Sequence, residues 1–174
     1  MTKGALGLYD SGIGGKTILK EIRKLFPKIE IHYLADTKHL PLGDKSGTEI
    51  RKITKKGIEF LFNKRCVIVI LACNTASVNS IKYLQENWIK EYYPSRKLLG
   101  VSIPLIELMN NKYQFLKNKK GLILSTPSTH KTKVYQNKLN ALGFKNLISV
   151  PSYSLASEIE YGNEQKIISH LQKI

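Results

Sequence analysis

Between Cys66 and Cys73 the chain reads CVIVILAC, eight consecutive apolar residues of which four are β-branched. The run is less than half of the roughly 20 residues that a membrane-spanning helix needs. It lacks the alternation of a half-exposed strand, and it reads as a strand buried on both faces. Strands of that kind belong to parallel sheets covered by helices, so the flanking segments are constrained to supply crossover helices and further strands.

They do so in order. Ala5 to Tyr9 is a short apolar run, and Thr17 to Phe26 then places Ile18, Ile22 and Leu25 on one helical face. A second run, Ile29 to Ala35, leads through the turn-rich TKHLPLGDKSG. Residues 48–64 follow, with Ile50, Ile53, Gly57, Ile58, Leu61 and Phe62 at helical spacing. After CVIVILAC come a helix through Ile81, Leu84 and Trp88, a strand Leu98 to Val101 and a helix after Pro104. The strand Gly121 to Leu124, a helix from about Thr129 to Leu142, the strand Leu147 to Val150 and a last helix near Glu164 to Lys173 complete the series. The fold class expected is α/β, parallel sheets with helices on both faces, with a seam near Gly100 to Pro104. That seam divides a first lobe, 1–100, from a second, 101–174.

Composition narrows the function classes. The two cysteines would lie about 23 Å apart at opposite ends of one strand, too far for a disulfide. Free thiols and a reducing cytoplasm follow. The first apolar run is broken by Asp10 and glycines before it can serve as a signal segment, and no membrane partner is expected. The net charge of +15 raises nucleic acid as a partner, but the lysines are scattered and no nucleic-acid motif accompanies them. Neither cysteine has a metal-ligand neighbour at usual spacing, so no metal site is expected.

Open parallel sheets bind ligands at the carboxyl ends of their strands, and each polar cluster falls at such an end: Asp10-Ser11, Asp36-Thr37, Cys73-Asn74-Thr75, Ser102, and Ser125 to Thr129. Within DSGIGGKT the tail matches the end of a phosphate-binding loop, but Asp10 stands where that motif requires glycine and would repel phosphate. Asp10 and Ser11 read instead as groups aimed at a small ligand or as helix caps. Cys73 reads as the last residue of its strand. It is either a small buried hydrophobe or a thiol whose pKa is lowered at a helix start. His32, His39, His130 and His170 form no recognisable motif with it.

Taken together, DSGIGG (10–15), Asp36-Thr37 with PLGDKS (41–46), ACNTAS (72–77), GVSIP (100–104) and Thr126, Thr129 and Tyr135 resemble the glutamate racemase family of the aspartate/glutamate racemase superfamily. The resemblance covers essentially the whole chain. It implies a cofactor-independent, two-base interconversion of L- and D-glutamate for peptidoglycan synthesis in the cytoplasm. By it, Cys73 is one base and Asp10 a helper. Ser11, Leu42, Gly43, Asn74 and Thr75 hold the substrate, assisted by Thr126 and Thr129, and Glu160 supports the second base. A homodimer stays open.

The departures are also specific. The family's second cysteine lies in a G-C-T-H motif, and no such motif occurs in the 174 residues; Leu42 replaces a tyrosine and Ile103 an acidic residue. The resemblance therefore implies an incomplete second lobe and no return to the first, through a truncated gene or a shortened protein. The alternative is a non-catalytic racemase-like protein binding an acidic amino acid or a macromolecule.

Overall fold

The computed structural model describes residues 4–173. Four strands, β1 (Ala5–Asp10), β2 (Ile31–Ala35), β3 (Cys66–Leu71) and β4 (Lys97–Gly100), form one parallel sheet in the order β2-β1-β3-β4. Their register aligns the carboxyl ends: Asp10 pairs with Ala35, Tyr9 with Leu71, and Leu71 with Gly100. The residues after each strand therefore emerge along one edge.

The helices of this lobe are α1 (Gly15–Leu25), α2 (Gly47–Asn63), α3 (Asn74–Leu84) and, beyond a wide turn at Gln85–Ile89, the short α4 (Lys90–Tyr92). Ser46 starts α2 by accepting a bond from the Glu49 amide at 3.2 Å, as a serine cap does. All six α2 positions expected from the spacing are buried, together with Thr54. Gly57 lies on that face because an added Cβ would enter the Tyr9 ring, which is fully buried. Phe62, Trp88 and Tyr93 close the far end, with Tyr93 ring centroids 4.8 and 5.0 Å from the other two.

The sheet's two faces are covered unequally. Val69 and Leu71 share the α2 face with Tyr9 and are sealed, whereas Ile68 and Ile70 face the other way and are half-buried. CVIVILAC is thus less enclosed than its composition suggests, because α1 packs chiefly along β1 and leaves its neighbour partly open. Ile18 and Ile22 are half-buried for the same reason, and Leu25 is 74% exposed.

The second lobe carries α5 (Ser102–Lys112), β5 (Gly121–Ser125), α6 (Pro127–Thr132), α7 (Val134–Ala141), β6 (Leu147–Pro151), α8 (Leu155–Glu160) and α9 (Glu164–Leu171). Its strands pair in parallel. The single helix expected over Thr129 to Leu142 is two helices, broken at Lys133, whose φ of 54° is left-handed. The short helix α8 has no counterpart in the sequence pattern, because its six residues are too few to show a helical period. No helix among the described residues is long and apolar enough to cross a membrane.

Candidate active site

Asp10 ends β1 and turns its carboxylate back over the start of α1, where Oδ2 accepts the Gly15 amide at 2.7 Å. This occupies the helix start that a phosphate would need. Gly15 fits there because a Cβ would come within 2.9 Å of the Asp10 Cβ and 3.2 Å of the Ala72 Cβ. Burial raises the Asp10 pKa, the Gly15 amide opposes the rise, and the nearby Glu160 carboxylate adds to it.

Cys73 lies beyond the strand rather than at its end: β3 stops at Leu71, and Cys73 is the capping residue of α3, its Sγ accepting the Ala76 amide at 3.4 Å. Ser11 Oγ lies 3.1 Å from the same sulfur. The thiol is only 9% exposed, and burial pushes its pKa up despite the Ser11 and Ala76 contacts, with Asp10 adding to the rise. The lowering expected from a helix start is overturned, because two donors do not offset the loss of water around the anion.

The opposite wall comes from the second lobe. Thr126 caps α6, and its Oγ1 lies 3.0 Å from both Thr75 Oγ1 and Thr129 Oγ1; Thr129 also reaches Thr75 at 3.4 Å. Three hydroxyls thus bridge the lobes in a triangle. Beside them Tyr135 donates to Asn74 Oδ1 at 2.5 Å, and Ser128 donates to Asn79 Oδ1 at 3.2 Å. Leu42 and Gly43 are buried in a short helical turn whose Gly43 backs onto Thr126. Glu160, at the end of α8, accepts the Ile13 amide at 2.9 Å and lies against Gly12.

These groups line one cleft of about 830 Å³ between the lobes. It contains Cys73, Asp10 and Ser11, then Leu42, Gly43, Asn74 and Thr75, and from the second lobe Thr126, Thr129 and Glu160. Although the chain is strongly basic, the charged side chains lining it are Asp10, Asp44 and Glu160. Two strand-end clusters turn elsewhere. Asp36 accepts from Tyr9 at 3.2 Å and pairs with His39 at 2.7 Å, and Ser102 bonds Ser77 at 3.1 Å. Cys66 lies at the opposite end of β3. Sequence reasoning assigned no role to Tyr135; its signal was a tyrosine six residues after Thr129 in a family-like stretch.

Two parallel α/β lobes meeting over aligned strand ends, with a thiol at the lip, define the racemase-type fold, and solved structures agree. The chain superposes on glutamate racemase isoform RacE1 from Bacillus anthracis with a TM-score of 0.82 at 25% identity, covering 99% of this chain and 63% of that one. It superposes on the Francisella tularensis glutamate racemase solved in complex with D-glutamate with a TM-score of 0.73 at 26% identity, covering 94% and 58%. No family model matches the sequence. Glutamate racemase from Jannaschia sp. (strain CCS1) is 32% identical over 183 aligned residues, covering 98% of this chain and 66% of that protein. The chain belongs to the glutamate racemase family, and it spans between half and two-thirds of the length of the relatives it matches.

Proposed function

We propose that the cleft binds glutamate and that Cys73 moves its α-proton, as one base of the two-base racemisation that supplies D-glutamate for peptidoglycan in the cytoplasm. The observation that carries this reading is the Ser11–Cys73 contact of 3.1 Å at the head of α3, inside a cleft that Asn74, Thr75, Thr126 and Thr129 also line. Asp10 takes the substrate ammonium or assists the proton path. Ser11, Asn74, Thr75, Thr126, Thr129 and the Leu42-Gly43 backbone hold the two carboxylates, and Glu160 supports the second base. The lobe boundary is taken at Gly100–Val101.

The Cys73 thiolate accepts the α-proton and becomes a thiol, and the electron pair left on carbon delocalises into the α-carboxylate. A second acid on the opposite face must reprotonate that carbon to invert it. Within the 174 residues the other cysteine is Cys66, which does not line the cleft. The chain by itself is therefore expected to exchange the α-proton without racemising at ordinary enzyme rates. The bound ammonium supplies the positive charge that the carboxylate-lined cleft lacks, which favours the thiolate.

Proton NMR of glutamate in deuterated water tests this: the α-proton signal decays with wild-type protein, and Cys73→Ser slows the decay at least 100-fold. Exchange that survives the substitution would sink the assignment, and circular dichroism with either enantiomer reads racemisation directly. The upward-shifted Cys73 thiol favours a second reading, in which it stays protonated and the cleft only binds. Calorimetric titration with glutamate and with DNA, beside the exchange assay, separates the two.

A further inference from the structure

Tyr135 belongs to the second lobe by its ring and to the cleft by its hydroxyl. The residue is 8% exposed and packs with Ile106, Leu139 and Phe144, while its hydroxyl donates to Asn74 Oδ1 at 2.5 Å. The local chain directs it there. Thr132 Oγ1 accepts the Val134 amide at 3.3 Å, and the left-handed Lys133 ends α6 so that α7 restarts one residue before Tyr135. Burial, with Cys73 nearby, pushes its pKa up to about 12, so the phenol remains a donor throughout the neutral range.

Asn74 is the first residue of α3, adjacent to Cys73, and lines the cleft. A primary amide carries an acceptor on one side and two N–H donors on the other, so a hydroxyl donating to Oδ1 decides which side faces a ligand. The orientation matters here because the charged groups lining the cleft are carboxylates. Donors to an anionic ligand must then be neutral, and the Asn74 amide is one of these beside the Thr75, Thr126 and Thr129 hydroxyls.

We propose that Tyr135 is a positioning residue that reaches across the cleft to lock the Asn74 amide with its N–H groups toward a substrate carboxylate beside Cys73. The proposal rests on the amino-acid reading given above. It makes closure of the second lobe a condition for correct binding: with the lobes apart, the Asn74 amide is free to rotate and presents oxygen to the anion as readily as nitrogen.

Tyr135→Phe removes the hydroxyl and keeps the ring in its apolar cluster. Titration calorimetry with D-glutamate is expected to show about tenfold weaker binding, the scale of one lost hydrogen bond to a charged group, with the melting temperature within a few degrees of wild type. On an Asn74→Ala background the same substitution is expected to change affinity less than twofold. Affinity within twofold of wild type on the native background, or losses that simply add in the double variant, would overturn the proposal, since a merely structural role predicts additivity. Absence of glutamate binding by the wild-type chain would instead count against the proposed function. The side-chain amide NMR resonances of Asn74 then decide the positioning contact in the ligand-free protein: they move in Tyr135→Phe if it is correct, and unmoved resonances overturn it.

Discussion

In the larger lobe Tyr9, Leu61, Val69 and Leu71 lie together with no solvent exposure, whereas the core of the smaller lobe reduces to Ile106, Tyr135, Leu139 and Phe144. On the smaller sheet Leu122 and Ile148 stand 53% and 62% exposed. Both lobes are built from the same strand–helix alternation, but four strands with α2 and α3 enclose a face that two strands cannot. Cys73, Asp10 and Ser11 sit on the enclosed lobe. The hydroxyls of Thr126, Thr129 and Tyr135, which complete the cleft, come from the open one. The Cys73 sulfur is therefore rigidly held, while the hydroxyls that face it across the cleft ride on the less stable part of the molecule, where local opening costs least.

Core truncations should expose this contrast most strongly. Leu61→Ala is expected to destabilise the chain by about 3–4 kcal/mol, and Leu139→Ala by about 2 kcal/mol because its surroundings can collapse or admit water. Urea denaturation measures both, and equal costs would remove the distinction between the lobes.

A smaller effect is expected from the hydroxyl triangle. Thr129→Val deletes one corner and leaves the Thr75 and Thr126 hydroxyls to re-pair, at a cost of about 1 kcal/mol in stability. Glutamate affinity should fall about tenfold, because the lobes lose a tie and the ligand loses a donor. Unchanged calorimetric affinity would mean that the second lobe does not hold the ligand through this residue.

The last effect is a pH slope. The Cys73 pKa is raised on folding, so its contribution is fully present below the unfolded thiol value of about 8.5 and is lost as pH rises above it. Stability of the wild type should fall between about pH 8 and 10 by at most about 1.4 kcal/mol per pH unit for this one proton. Cys73→Ser should shallow that fall, as read by denaturant midpoints at several pH values. The raised Cys66 thiol, buried at the other end of β3, keeps part of the slope in the variant.

The α2 face was legible because seventeen residues repeat a 3.6-residue period, enough for packing to follow spacing. The break at Lys133 was not, because a lysine carries no local signal for a left-handed backbone. The α8 turn that brings Glu160 to Ile13 was equally silent. Among the strand-end clusters, Asp36 and Ser102 look like Asp10 and Ser11 in sequence, yet they are consumed by Tyr9 and His39 and by Ser77. Which polar residue faces the cleft depends on neighbours that lie far along the chain.

The sequence by itself determined the strand–helix alternation, the parallel sheets and the emergence of polar residues at one edge, because these follow from hydrophobic period and connection length. Only the tertiary structure decided what those residues do together. Ser11 reaches Cys73 across 62 residues, Tyr135 reaches Asn74 across 61, and Glu160 reaches Ile13 across 147. The upward shift of the Cys73 thiol was decided there too, since desolvation is a property of the closed cleft and not of the segment ACNTAS.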